Sequence, residues 1–334
     1  MSQSTLAAAI AGDERAFRDV ISPHIRELHV HCYRMLGSVT DAEDTLQEVL
    51  LAAWRGMDGF AGRSSVRTWL YRIATNRCLN AIRDGKRRKP AEPIPPFEPP
   101  QPSRRGEITW LQPYPDTWLD ELEFEDGPAA RYQQREAVEL AFIAALQRLP
   151  PRQTASLLLC DVLGYTGAEA AAMMDTSATA IKGALQRARR SLDRLSATPG
   201  VHTAAHAGSY PDRVLARRFA EAFTRDDIDG VIDLLTDDAW LSMPPAPHEY
   251  QGASAIASFL RASVSWKGPR KVRLLETRAN HQPAFGYYLS APGSPSAQRA
   301  GLIVLSVVEN RIIAMTRFLD ERLPAIFGLP DRSD

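Results

Sequence analysis

Nine of the chain's 24 prolines fall between residues 90 and 115. Neither helix nor strand propagates through such a run, because each proline removes a backbone N–H and fixes φ. The acidic stretch 120-DELEFED-126 follows directly, so 91–130 reads as an extended, acidic linker. "SATPGVHTAAHAGSYP" (196–211) is small and polar, and reads as a second linker. A chain of 334 residues is expected to form two or three bodies, and the prolines say where one division falls.

The net charge is zero, with 40 basic and 40 acidic residues, but the charge is unevenly spread. Residues 1–89 carry +4, residues 90–127 carry −7, residues 128–200 carry +3, and the remainder balances. Residues 61–89 alone hold nine basic residues against Asp84. Two local basic patches therefore flank an acidic connector, a distribution that suits phosphate contacts better than the total suggests.

Residues 13–89 read as helices throughout. "DAEDTLQEVLLAAWRGM" (41–57) places Leu46, Val49, Leu50, Ala53 and Trp54 at helical spacing. Its acids crowd the first turn, where they favour the helix dipole. The glycines of "DGFAGRSS" (58–65) make a loop, and Ser64 or Ser65 is placed to cap the helix "VRTWLYRIATNRCLNAIR". In that helix Val66, Trp69, Leu70, Ile73 and Ala74 form the stripe to be buried. Arg72, Asn76, Asn80 and Arg83 share another face, and Lys86-Arg87-Arg88-Lys89 lies at the exit. Arginine offers charge to phosphate and asparagine offers donor and acceptor to a base edge. A solvated face is the plain alternative.

A second helical block runs from about 131 to 197. Within it "AAAMMDTSATAIKGALQRARRSL" (170–192) changes half way from small and apolar to basic. Ile181, Leu185, Ala188, Leu192 and Leu195 form a core stripe, with Lys182, Gln186, Arg189 and Arg190 opposite. Asp175, Thr176 and Ser177 supply the turn. This is the pattern of a helix-turn-helix whose second helix enters the major groove, and equally of an amphipathic hairpin with a solvated outer face.

The two helical blocks are identified as resembling regions two and four of a sigma-70-type sigma factor of the extracytoplasmic-function (ECF) subfamily. "CYRMLGSVTDAEDTLQEVLLAAW" and "SSVRTWLYRIATNRCLNAIR" carry the first likeness. "ALQRLPPRQTASLLLCDVLGYTGAEAAAMMDTSATAIKGALQRARRSL" carries the second. It departs at Asp175, where a turn glycine is usual, and at Ala180, Gly183 and Ala184, which replace Thr, Ser and Arg. The alanines remove direct DNA contacts on this reading, and Gly183 costs the helix about 1 kcal/mol against alanine. Residues 211–322 resemble a SnoaL-like domain, and Trp110-Leu111-Gln112-Pro113-Tyr114-Pro115-Asp116 matches a linker motif of ECF subgroups that carry such a tail.

The resemblance implies a multidomain chain. Two all-α sigma domains, the second with a helix-turn-helix, precede an α+β SnoaL-like cone. The expected boundaries are 1–90 for region two, 91–130 for the linker, 131–197 for region four, 198–210 for the second linker and 211–334 for the tail. Asp41, Glu43, Asp44, Gln47 and Glu48 would meet the β′ clamp helices of core RNA polymerase, whose β flap is the further expected contact. Phe60, Arg63, Ser64, Arg72, Asn76, Asn80 and Arg83 would melt and hold the −10 element. Ser177, Thr179, Lys182, Gln186, Arg187 and Arg189 would meet −35 DNA. The implied function is promoter recognition and transcription initiation, tuned by the tail through contact with the linker or the sigma domains.

The opposing reading is a cyclase or isomerase with helical DNA-binding appendages. It would need a base in an apolar pocket. His248, His281 and Asp320 are the available groups, with Trp240, Met243, Tyr250, Phe285 and Tyr287 as candidate walls. The same walls leave room for a small-molecule ligand without catalysis. Neither reading calls for a cofactor. Cys32, Cys78 and Cys160 are odd in number with no CxxC, so they read as free thiols in place of disulfides or a zinc site. No apolar run is long enough for a membrane span, and "MSQSTLAAAIAGDERAF" lacks the basic start of a signal peptide. A cytoplasmic protein is expected.

Overall fold

The computed structural model describes residues 3–85, 96–105, 111–120, 138–196 and 210–333. The run Lys86–Lys89, Trp110, and residues 121–126 of the acidic stretch lie outside the described residues. In chain order the helices are α1 (Gln3–Ile10), α2 (Glu14–Ile21), α3 (Ile25–Leu36), α4 (Val39–Gly56) and α5 (Val66–Arg83). Then come a two-residue strand β1 (Arg104–Arg105), α6 (Asp116–Leu119), α7 (Leu140–Leu146), α8 (Pro151–Leu157), α9 (Gly167–Met173) and α10 (Ala178–Ser196). The C-terminal part holds α11 (Tyr210–Thr224), α12 (Ile228–Ile232), β2 (Leu235–Met243), β3 (Ala246–Gln251) and α13 (Ala253–Lys267). It ends with β4 (Val272–Ala279), β5 (Gln282–Ser290), β6 (Ala297–Val308), β7 (Arg311–Phe318), α14 (Leu323–Ile326) and β8 (Arg332–Ser333).

The chain forms two units. One gathers residues 1–88, 121–137 and 145–194, and the other gathers 89–120, 138–144 and 195–334. In the helical unit the ends are set by side-chain caps: Asp13 before α2, Ser38 before α4 and Ser65, not Ser64, before α5. Gly37 closes α3 in the left-handed conformation, at φ 72. Thr166 and Glu169 form a reciprocal capping box on α9. Leu28, Cys32, Tyr33, Leu36, Val49, Ala53, Leu70, Tyr71, Ala74 and Cys78 fill the interior between α3, α4 and α5. Glu27 ties α3 to α5: it accepts from Arg67 at 2.8 Å, from the Tyr71 hydroxyl at 3.1 Å and pairs with His24 at 2.6 Å. Burial pushes its carboxyl up, but His24 and Arg67 outweigh this and hold it below the usual range.

The second unit is built on one eight-stranded sheet in the order β1-β3-β2-β7-β6-β5-β4, with β8 pairing β6. β2 and β7 run parallel, and the other neighbours are antiparallel. Its inner face and the helices α11 and α13 enclose an apolar core that includes Phe219, Leu241, Tyr250, Phe259, Phe285 and Met315. The runs 271–280, 283–290, 300–310 and 311–320 of the sequence fold as β4 to β7, and Glu309 and Asn310 make the last turn, both at positive φ. The linker departs from expectation. Despite its prolines it supplies β1, which pairs with the edge strand β3 at Arg104–Glu249 and Arg105–His248. None of the prolines falls at those two residues, so the N–H donors needed for pairing are present.

Candidate functional site

On α4, Asp41 is half-buried, whereas Glu43, Asp44, Gln47 and Glu48 are exposed. The same helix leaves Leu51 56% and Trp54 37% exposed. Trp54 therefore does not close the apolar stripe as its spacing suggested; Phe17 covers only part of its ring, edge-on at 5.0 Å. An acidic and amide-bearing row ends in two uncovered apolar side chains. Their i, i+4, i+7 relation to Gln47 was the available signal.

The −10 candidates lie on the following loop and on α5. Phe60 packs against Trp69, with ring centroids 5.3 Å apart, and Arg63 and Ser64 are exposed. Arg72, Asn80 and Arg83 are exposed, and Arg83 pairs with Asp84 at 3.0 Å. Asn76 is different. Its amide donates to Arg72 O at 2.9 Å and to Met173 O, at the end of α9, at 3.0 Å. Tyr71 meets Tyr165 edge-on at 6.0 Å beside it. The donor that would read a base edge is thus engaged within the helical unit.

In the helix-turn-helix, Asp175 holds the left-handed position usually given to glycine, at φ 49. Asparagine and aspartate tolerate this conformation best after glycine. Ser177 accepts from Ala180 N at 3.2 Å. Thr179, Lys182, Gln186 and Arg187 are exposed. Two expectations need correction. Ala184 is buried, together with Ile181 and Ala188, while Leu185 and Leu192 are only half-buried. The core stripe is rotated toward the smaller residues, so Ala184 is a packing residue, not a lost DNA contact. Arg189 is paired with Asp161 through two bonds of 2.9 and 2.6 Å, so its fork is occupied. Sequence reasoning also missed a basic groove that Arg187, Arg190 and Arg194 form against Pro150 and Gln153. Its i, i+3, i+7 spacing was legible.

In the tail, Met243, Tyr250, Phe285 and Tyr287 share the sheet's inner core. Trp240 does not join them. Strand alternation turns it to the other face of β2, where the Arg104 guanidinium lies 4.8 Å over its ring. Two of the three candidate bases, Asp320 and His281, have charged partners of their own; among the described residues His248 has none, its Nδ1 being buried without a hydrogen-bond partner. Burial raises the Asp320 carboxyl, but Arg322, bonded at 2.7 and 2.9 Å, holds it below its ordinary value. His281 lies 3.9 Å from Asp116, and His248 sits on β3 opposite Arg105. Among the described residues no cluster of His, Cys, Asp or Glu could hold a metal ion. No helix among them is long and apolar enough to cross a membrane. Cys32 and Cys78 are buried free thiols and Cys160 is half-buried.

Several polar groups of the second unit bind the linker. Tyr250 donates to Pro100 O at 2.8 Å and Ser103 accepts from Gln251 N at 3.0 Å. Arg104 pairs with Glu249 at 2.7 Å, and Phe97 lies against Phe259 and Trp266. Asn280 accepts from Tyr114 N at 2.8 Å and donates to Val138 O at 2.6 Å, so one side chain holds both sides of 121–137. Asp116 accepts from Arg278 at 2.9 Å and from His281 N at 2.7 Å. Burial raises its pKa to about 6 in spite of these two partners.

Three family models match the chain: sigma-70 region 2 over residues 20–88, sigma-70 region 4 over 139–192 and a SnoaL-like domain over 216–315. The ECF RNA polymerase sigma factor SigG of Mycobacterium tuberculosis is 42% identical over 96% of this chain and 86% of its own length. The chain belongs to the ECF sigma factors. SigM of the same organism is 33% identical over 57% of this chain and 82% of its own. The crystal structure of the M. tuberculosis ECF sigma factor SigJ matches with a TM-score of 0.59 at 20% identity, over 91% of this chain and 97% of that one, a likeness of fold. As an ECF sigma factor the chain is a transcription initiation factor, with core RNA polymerase and promoter DNA as its partners. A helical sigma part and a fused SnoaL-like α+β tail are its two components.

Proposed function

We propose that this sigma factor is governed by its own tail, which acts by taking possession of the linker between the two sigma regions. The observation that carries this is Asn280, whose side chain grips the linker at Tyr114 and again at Val138. Polymerase binding and promoter contact need the two sigma regions to reach separate places. A linker held at both sides limits that reach. Run-off transcription with core polymerase tests it, comparing the full chain with one ending near residue 200. Equal activity and equal promoter choice in both would sink the regulatory role.

The residue assignments belong to the same proposal. Asp41, Glu43, Asp44, Gln47 and Glu48, extended by Leu51 and Trp54, form the surface for the β′ clamp helices. Phe60, Arg63, Ser64, Arg72, Asn76, Asn80 and Arg83 serve the −10 element. Engagement of Asn76 with Met173 O supports a closed resting state, in which α5 and α9 part before DNA binds. Ser177, Thr179, Lys182, Gln186 and Arg187 meet −35 DNA, with Arg190 and Arg194 as phosphate contacts. Arg189 joins them only on release from Asp161. Functional boundaries follow the linkers at 91–130 and 198–210. The chain works in the cytoplasm, without covalent chemistry of its own.

A further inference from the structure

Two residues along β7 from the core residue Met315 stands Arg317, which strand alternation turns to the same inner face. It is only 5% exposed. Its guanidinium carbon lies 5.2 Å from the ring centre of Tyr287, 5.8 Å from Phe223 and 5.9 Å from Phe259. The Tyr287 hydroxyl is the polar group it interacts with, while burial lowers its pKa. Arginine nevertheless stays charged in a protein. Among the described residues it forms no ion pair. Lys267, also buried in this unit, is satisfied: its ammonium meets Asp226 at 2.8 Å and Arg270 O at 2.9 Å.

A buried cation is costly unless paired, and aromatic faces offset only part of that cost. Packing alone would be served as well by leucine or methionine here. Neither polymerase binding nor promoter recognition has a use for a charge inside the tail. We propose that Arg317 anchors an anion site within the SnoaL-like tail, and that its ligand is a small organic carboxylate with an apolar body. The guanidinium fork matches a carboxylate bidentately, and the Tyr287 hydroxyl adds a third polar contact. Phe223, Phe259 and Tyr287 offer the apolar body its walls. Inorganic phosphate, with three or four oxygens to satisfy, finds too few donors in this cup.

A cavity of about 20 Å³, room for about one water, shares the Phe223 and Tyr287 walls; Val231, Leu260, Asp226, Asp227 and Lys267 also line it, and Arg317 is not among its lining residues. The ligand enters by displacing the half-exposed Phe223 ring from the guanidinium, which restricts it to small molecules. The site goes beyond the regulatory role of the tail and stands whether or not that role holds.

Calorimetry and thermal melting of the full chain test it, with benzoate and octanoate as probes and benzamide and inorganic phosphate as controls. At least one carboxylate is expected to bind and to raise the tail's melting temperature, and the controls are not. Arg317→Met removes a buried charge without a large volume change, so it is expected to fold and to lose binding. Arg317→Lys keeps the charge without the fork, and is expected to bind about tenfold more weakly. No shift with either carboxylate up to about 10 mM overturns the proposal. So does binding retained in Arg317→Met, or equal binding in Arg317→Lys. A phosphate response matching that of the carboxylates overturns the ligand class.

Discussion

Replacing Asn280 by alanine should free the linker from the tail, and the size of the effect can be worked from three bonds. Asn280 is fully buried. Its loss leaves the Tyr114 N–H and the Val138 carbonyl without the side chain that now meets them at 2.8 and 2.6 Å. Tyr114 is 0% and Val138 2% exposed, so water does not take over. Each orphaned group costs about 1–3 kcal/mol. The backbone adds to this: at φ 55 Asn280 sits in the left-handed region, which costs alanine a further 1–2 kcal/mol, roughly. The backbone bond from Asn280 N to Tyr114 O, at 2.9 Å, and the neighbouring bonds of Asp116 to Arg278 and His281 N remain. Taking the low end of these contributions, local opening at Tyr114 should become easier by about 3 kcal/mol, which is on the order of 100-fold in amide exchange. Amide hydrogen exchange read by mass spectrometry over peptides covering 111–119 and 138–144 measures this directly. Asn280→Asp separates the two halves, since it keeps the acceptor for Tyr114 and loses the donor to Val138. Exchange that stays within about twofold of wild type in Asn280→Ala would refute the clasp.

The remaining predictions concern the other parts of the molecule. Acidification from pH 7.5 to 5 should weaken the helical unit, because burial lowers His29 to about 4 and His31 to about 3, with Arg26 and Arg34 adding to the effect. Folded pKa values below the unfolded one give stability that is present above pH 6.5 and lost as pH falls. The loss is about 2 kcal/mol per histidine at pH 5. Asp116 has the opposite sign: raised to about 6, it favours the tail's hold on the linker below that pH by about 1 kcal/mol. Denaturant melts at the two pH values should therefore show the two transitions moving apart or crossing. Gly183→Ala should stabilise α10 by about 1 kcal/mol, since the added methyl meets only the mobile end of Arg187 at 3.3 Å. Urea denaturation checks it, and −35 DNA affinity should rise with it. Leu51→Glu, on an exposed face, should leave the melting temperature within a degree or two, roughly, yet lower affinity for core polymerase about tenfold in a pulldown titration.

How much of this was legible differs between the two units, for a physical reason. Helices carry their burial in a 3.6-residue period, so α4, α5 and α10 could be placed from the sequence, and their polar faces with them. The errors there are rotations of the stripe by one position. Ala184 is buried where Leu185 was expected, because Ile181 and Ala188 bring the chains close enough for a small residue to pack. Trp54 is left out although its hydrophobicity argued it in. Pairings between distant residues left no trace in the periodicity. Nothing local marks Arg189 as the partner of Asp161, or Asn76 as the donor to Met173 O. Arg317 could have been found: in "RIIAMTRFLD" the arginine is in phase with Met315, so a charge was being placed on the buried face of a strand.

The linker shows why the least structured part of the sequence became the most informative part of the fold. Proline removes N–H donors and fixes φ, so this segment cannot hold itself in place with a ladder of its own. Whatever order it has must come from partners elsewhere: the short pairing of β1 with β3, and otherwise single groups that reach it one at a time. The tail supplies them: Tyr250 for Pro100 O, Asn280 for Tyr114 N, and Arg278 with His281 N for Asp116. Bonds of this kind are few, specific and separately breakable, unlike a sheet interior. A segment tied down by so small a number of side-chain contacts can be released by changing one of them, as a continuous strand could not. On the proposed regulatory role, the same prolines that forbid regular structure make the linker suited to being held and let go, with Asn280 the side chain that holds it at both Tyr114 and Val138.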